Sequence, residues 1–84
     1  MKNNLPPFSE AAKNLKPGIY EHFKPEHHKY RVLGVGRNSE TLEEEVIYQA
    51  LYGEKNIWIR PLQMFLEEAE IDGEKVPRFK YIGE

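Results

Sequence analysis

Residues Tyr30 to Phe65 set two β-rich runs on either side of a polar turn, add a third run, and close on Trp58-x-Arg60-Pro61-x-x-Met64-Phe65. Short runs of β-branched and aromatic residues bounded by turn residues form strands rather than helices. Gly34 and Gly36, two apart in the first run, leave one of its faces without side chains. Glycines so placed mark a bend, a bulge or the close approach of another backbone. The block therefore predicts a strongly bent sheet.

The flanking segments read in the same terms. Residues 1–16 form an N-terminal extension, with Pro6 and Pro7 precluding regular structure at its start and Pro17-Gly18 punctuating its end. Between them Ser9 is placed to cap one short helix over Glu10 to Leu15, with Lys13 and Lys16 near its C-terminal end. The sequence does not decide whether that helix docks. From Gly18 onward strands are expected over Gly18–Phe23, Lys29–Arg37, Glu45–Tyr52 and Asn56–Arg60. A polar loop at Lys24–His28 and a turn at Asn38–Glu44 separate the first three. Pro61 lacks an N–H for a ladder, so the fourth run ends there or lies at an edge, and Leu62–Phe65 follows as a single turn. Leu66–Ile71 and Lys75–Ile82 flank Asp72-Gly73, a strong hairpin signal.

Five or six short strands and no long helical pattern predict an all-β domain over residues 17–84. Closing the sheet on itself is the economical way for so small a domain to remove its edges. The expectation is a small, strongly bent SH3-like barrel.

Composition narrows the function. A chain of 84 residues buries only about 60% of its unfolded surface, which leaves a thin core and a shallow site and argues against a deep enzyme cleft. With no cysteine, neither a disulfide framework nor a zinc–thiolate site holds the fold. No apolar run approaches the ~18 residues of a membrane span, and residues 1–16 lack the apolar core of a signal peptide. A cytoplasmic protein without a membrane partner is expected. The net charge of −2 is unevenly spread: residues 1–39 hold seven Lys/Arg against three Asp/Glu, residues 40–84 five against eleven. A dedicated nucleic-acid binder shows a clearer basic excess, and a solvated mixed surface is the simpler reading.

Alternation supplies the candidate site. With Ile57 and Ile59 toward the core, Trp58 and Arg60 fall on the outer face, and with Phe79 and Tyr81 inward, Arg78 and Lys80 point out. An arginine fork suits carboxylate or phosphate and stacks on rings, and Trp, Tyr and Arg are enriched at binding surfaces. Against this, Arg60 and Arg78 also suit structural pairing with Glu67, Glu68 or Glu70, while Trp58 suits covering an end of the core. Tyr20, Tyr30, Tyr48, Tyr52 and Tyr81 fit either a core margin or a recognition groove, and strand parity does not say which of them point inward. His22, at a strand end near Tyr20, is a candidate base or pH-sensitive group.

Catalysis and metals find no support. Glu43, Glu44 and Glu45 form a run on a turn, where all share one solvated environment instead of the contrasting pair that acid–base work requires. Ser39 and Thr41 have no His–Asp partner placed beside them. Gly34-Val35-Gly36 is followed by no helix, so it is not a phosphate loop. Glu26, His27 and His28 offer only an adventitious metal site, because adjacent histidines in extended chain point apart. No cofactor is implied.

Gly18-Ile-Tyr-Glu-His22, Tyr30-Arg-Val-Leu-Gly34, Ser39-Glu-Thr41, Tyr48-Gln-Ala-Leu-Tyr52, Trp58-x-Arg60-Pro61, Met64-Phe65 and Pro77-Arg-Phe79 resemble the bacterial "domain of unknown function 1653" family. The resemblance covers roughly residues 17–82 in the right order. It implies an SH3-like barrel and no established activity, cofactor or substrate. One departure is local: Lys24–His28 is longer and richer in histidine than the short glycine-containing turn of that pattern.

The expected function is thus a non-catalytic binding module. Its outer face around Trp58, Arg60, Arg78, Tyr48 and His22 is expected to recognise a protein segment or a small anionic or aromatic ligand. The alternative is RNA or DNA binding through Arg60, Arg78 and the basic N-terminal half; an enzyme or enzyme-accessory domain comes third. Monomer and edge-paired dimer are both compatible with the pattern.

Overall fold

The computed structural model describes residues 5–84, and the first four residues of the N-terminal extension lie outside it. It is mainly β. The elements in chain order are α1 (Glu10–Asn14), β1 (Gly18–His22), β2 (Lys29–Arg37), β3 (Glu44–Ala50), β4 (Ile57–Pro61), α2 (Leu62–Phe65), β5 (Glu68–Ile71), β6 (Glu74–Pro77) and β7 (Phe79–Gly83). Five strands form one antiparallel sheet in the order β4-β3-β2-β1-β7, and β5 and β6 form a separate hairpin.

The expected closed barrel is not formed: β4 and β7 are the two open edges of the sheet. One predicted strand is also divided. Lys75–Ile82 breaks at Arg78, whose N–H donates to the Glu67 carbonyl while its own carbonyl accepts from Phe23 N–H. Pro77, with no N–H to offer, ends β6 at the hairpin, and β7 then joins the large sheet beside β1. The turn between β5 and β6 is the Asp72-Gly73 pair, both at positive φ, the geometry of a tight two-residue hairpin.

Period-2 alternation builds the core on one face of the sheet. Tyr20, Val32, Val46, Tyr48, Ala50 and Phe79 are buried there. The register of β2 against β3 shifts between Val32 and Gly34, a bulge at the glycine-bearing stretch singled out in the sequence. That extra residue lets Val32 and Val35 both face the core, where Val35 packs against its edge. The helices cap this face. Leu62 and Phe65 of α2 are fully buried, and the Phe65 ring stacks on Phe79 at 4.3 Å between centroids and 3° between planes.

The N-terminal helix docks. Ser9 Oγ accepts from the Ala12 N–H at 3.1 Å, and Ala12 belongs to the core cluster with Leu15 packed against it. A clamp to β3 fixes the cap: Ser9 N–H and Oγ–H each donate to a Glu44 carboxylate oxygen at 2.7 Å. Those two hydrogen bonds, assisted by Arg37, hold the Glu44 carboxyl below its usual range. Arg37 also donates to the Pro6 carbonyl and lies over the Phe8 ring.

The parity expected for β4 is inverted. Tyr48 pairs with Trp58 and Val46 with Arg60, and residues directly opposite in a ladder share a face. Since Val46 and Tyr48 point into the core, Trp58 and Arg60 lie on that same face. Ile57 and Ile59 take the outer face, 58% and 64% exposed. Alternation alone has two solutions; the partner strand selects between them.

Candidate functional site

The helices leave one end of the inner face uncovered, and a cavity of about 460 Å³ opens there. β1 ends on it with His22, β2 begins on it with Tyr30, and β3 contributes Tyr48. The edge strand β4 adds Trp58 and Arg60, and β7 adds Phe79. The Lys24–His28 loop supplies Lys24, Glu26 and His28, and the turn after β3 supplies Tyr52.

Aromatic rings form the walls. Tyr30 packs edge-on against Tyr48, Tyr52 and Phe79, and its hydroxyl meets that of Tyr52 at 2.9 Å. Burial first, then this hydrogen bond, pushes the Tyr30 phenol well above its ordinary range. His28 stacks on Tyr52 at 3.8 Å between centroids and 23° between planes. These contacts brace one another, so the rings stand as a preformed wall.

Arg60 is the charged group that the strands contribute, Lys24 and Glu26 coming from the loop. Its Nε donates to the Tyr48 hydroxyl at 3.2 Å, and its guanidinium carbon lies 5.8 Å from the centre of the Phe79 ring. Among the described residues no carboxylate comes within ion-pair distance of it. Its two terminal nitrogens are therefore free to form a fork toward an incoming anion.

His22 faces Phe79 edge-on at 4.9 Å. Its Nδ1 accepts from the Lys24 N–H at 3.2 Å, so the neutral ring carries its proton on Nε2. Burial lowers its pKa, and the positive charges of Lys24, Arg78 and Arg60, with His28, lower it further. His22 is a neutral donor near pH 7.

Four of the five residues singled out in the sequence, His22, Tyr48, Trp58 and Arg60, thus line one cavity. They do so on the inner face, not on the outer face expected of them, for the register reason given above. Arg78 is not among the lining residues: it pairs with Glu67 at 3.5 Å, and its guanidinium carbon lies 5.8 Å from the Phe23 ring centre. Its part here is electrostatic, through His22. Sequence reasoning missed Tyr30, Tyr52, Phe79, Lys24 and His28 as a constellation. Strand parity alone did not supply it: Tyr30 lies opposite Ala50, on the face of Tyr48, only once β2 is paired with β3. His27 and His28 diverge as adjacent residues should, His27 approaching Glu21 at 4.0 Å. Among the described residues no three His, Asp or Glu side chains are grouped to hold a metal ion.

A sequence profile described as a protein of unknown function, DUF1653, matches residues 18–81. The chain belongs to the DUF1653 family. Its architecture is similar to the crystal structure of a DUF1653 protein from Bordetella bronchiseptica. That protein is 31% identical with a TM-score of 0.76, over 86% of this chain and 92% of the other. Comparison with curated proteins gives no match. The family match, residues 18–81, takes in β1 to β6, the first three residues of β7 and every residue lining the cavity, while α1 precedes it.

Proposed function

We propose that this DUF1653 domain is a non-catalytic binding module, an open relative of the SH3-like barrel, that takes a small planar anion in the inner-face cavity. The observation that carries the reading is Arg60, oriented by the Tyr48 hydroxyl, facing a wall of aromatic rings with no carboxylate partner among the described residues. Stacking on Tyr52, Trp58 or Tyr30 supplies contact area, and the Arg60 fork supplies polarity and orientation. The cavity volume falls within the ~300–1,000 Å³ typical of small-molecule sites. The loop brings one charge of each sign, Lys24 and Glu26, which leaves Arg60 to set the polarity of the cavity, and His22 Nε2 adds a neutral donor.

The cavity chemistry favours binding over turnover. His22 already spends Nδ1 on the Lys24 backbone, and burial and neighbouring cations keep its ring neutral. A general base requires a lone pair aimed at substrate, which this tautomer does not present.

The test is an amide NMR titration of the labelled domain with aromatic carboxylates and nucleoside monophosphates in one arm and RNA and DNA oligomers in the other. Shifts confined to the cavity with a small anion, absent in Arg60→Ala, support the reading. Binding only to oligomers, falling steeply with salt, would move the assignment to nucleic acid. Silence of the cavity in both arms would overturn it.

A further inference from the structure

The edge strand β4 is bare along Ile57 to Ile59, and its blunting residues, Arg60 and Pro61, stand only at its end. Natural edge strands are blunted by charges, bulges, proline or a covering loop, because bare backbone beside apolar side chains invites pairing. Here three consecutive large apolar residues, Ile57, Trp58 and Ile59, are at least half exposed on a strand at the end of the sheet.

The hydrogen-bond phase shows which backbone groups are bare. Ala50 N–H donates to the Asn56 carbonyl at 2.9 Å. Antiparallel ladders alternate hydrogen-bonded and non-hydrogen-bonded pairs. In the β3–β4 register the bonded pairs are therefore Tyr48 with Trp58 and Val46 with Arg60. The amides and carbonyls of Ile57 and Ile59 consequently point away from the sheet.

We propose that β4 pairs with β4 of a second copy of this chain, antiparallel across a two-fold axis at Ile59. Ile59 is the middle residue of the strand Ile57–Pro61, so this centre alone overlaps the whole strand with its mate. The two Ile59 residues exchange backbone hydrogen bonds, and each Ile57 N–H donates to a Pro61 carbonyl. Pro61 has no N–H, so each Ile57–Pro61 pair makes one bond in place of the two that such a pair exchanges, and the Ile57 carbonyl is left to water.

The side chains are self-complementary in this register. On the outer face Ile59 meets its own mate. On the inner face Trp58 falls opposite Arg60 of the partner subunit in a non-hydrogen-bonded pair, where side chains approach most closely. That juxtaposition suits stacking of a guanidinium on an indole. Trp58 and Arg60 also line the cavity, so each cavity gains a wall from its neighbour and the two sites become continuous across the axis. The pairing itself does not depend on the cavity binding a ligand.

The test uses the full chain. Sedimentation equilibrium over a wide concentration range should give a monomer–dimer equilibrium that Ile59→Lys abolishes, leaving a folded monomer. Because the chain has no cysteine, Ile59→Cys and Ile57→Cys report the register directly. Under mild oxidation Ile59→Cys should crosslink rapidly, its Cα atoms standing about 5.5 Å apart. Ile57→Cys should not, since its copies lie roughly 13 Å apart along the strands. A monomer at all concentrations, a dimer indifferent to Ile59→Lys, or preferential crosslinking of Ile57→Cys would each overturn the proposal.

Discussion

Arg60 Nε donates to the Tyr48 hydroxyl at 3.2 Å, across a cross-strand diagonal from β4 to β3. Tyr48 is buried among Tyr30, Phe65 and Phe79, so its hydroxyl is a fixed post, and the guanidinium inherits that rigidity. A long, flexible side chain is thereby preorganised, which lowers the entropic cost of binding an anion.

Removing either partner separates binding from folding. Arg60→Ala is expected to leave the fold standing, because the arginine sits at the mouth of the cavity and carries no ion pair among the described residues. Anion binding should be lost. Tyr48→Phe should cost about 0.5–1.5 kcal/mol, the net worth of one hydrogen bond, and weaken binding without abolishing it. Thermal melts beside NMR titrations of both variants check this. A melt of Arg60→Ala far below that of the parent would make Arg60 a structural residue.

Ile59→Asp discriminates the two parities of β4. If Ile59 faced the core, the substitution would bury an unpaired charge and unfold the domain. At 64% exposure it should instead change the stability of the monomer by no more than about 0.5 kcal/mol, as surface substitutions do. Urea denaturation at low protein concentration, where association is negligible, is the measurement.

Phe65→Ala should be severe. Phe65 is 1% exposed and stacks face to face on Phe79 while Tyr20 and Tyr48 meet its edges. Truncating a buried phenylalanine costs about 3–5 kcal/mol, against a total stability of roughly 5–15 kcal/mol for a domain. A large fall in the urea midpoint is expected, and a shift of under ~1 kcal/mol would show that α2 is not part of the core.

These sites also show what the sequence could and could not disclose. Asp72-Gly73 and Ser9 were legible because turn and cap chemistry is local: the residues that need positive φ, or that accept from a free N–H, are the residues in the chain. Trp58, Arg60, Tyr48 and His22 were legible as types, since arginine and aromatic side chains at alternating positions carry binding chemistry wherever they point. Their direction was not, because the face of β4 is decided by its register with Val46 and Tyr48, fourteen and ten residues from their partners Arg60 and Trp58. His28 reaches Tyr52 only because the β1–β2 loop and the turn after β3 meet at one end of the sheet, and nothing in either segment encodes that meeting. Closure was misjudged for the same kind of reason: β4 and β7 each have a plausible strand sequence, and only the topology shows that they do not pair.

The Ser9–Glu44 clamp predicts how α1 is held. Ser9→Ala removes the cap acceptor and the hydroxyl donor to the carboxylate together, and loss of a helix cap alone costs about 1 kcal/mol. Hydrogen exchange at the Ala12 amide, which Ser9 Oγ accepts from, should accelerate strongly in Ser9→Ala, while amides of β3 stay protected. Equal acceleration in α1 and β3 would mean that the helix and the sheet open as one unit.

The pH dependence of stability should carry a signature of His22. Its folded pKa lies below the ordinary histidine value, through burial first and then the charges of Lys24, Arg78 and Arg60, with His28. The unfolded chain, with a pKa of about 6.5, therefore binds a proton before the folded one does. Below that pH the unfolded state holds more protons, so stability rises with pH through this window and is fully present above it. Denaturation midpoints should thus fall as the pH is lowered from 7.5 to 5.5, and His22→Gln, which cannot titrate, should flatten that slope. An unchanged slope in His22→Gln would place the titration on other groups and leave His22 as a cavity donor alone. A steeper slope would mean that His22 is protonated in the folded state, which its Nδ1 hydrogen bond from Lys24 N–H forbids.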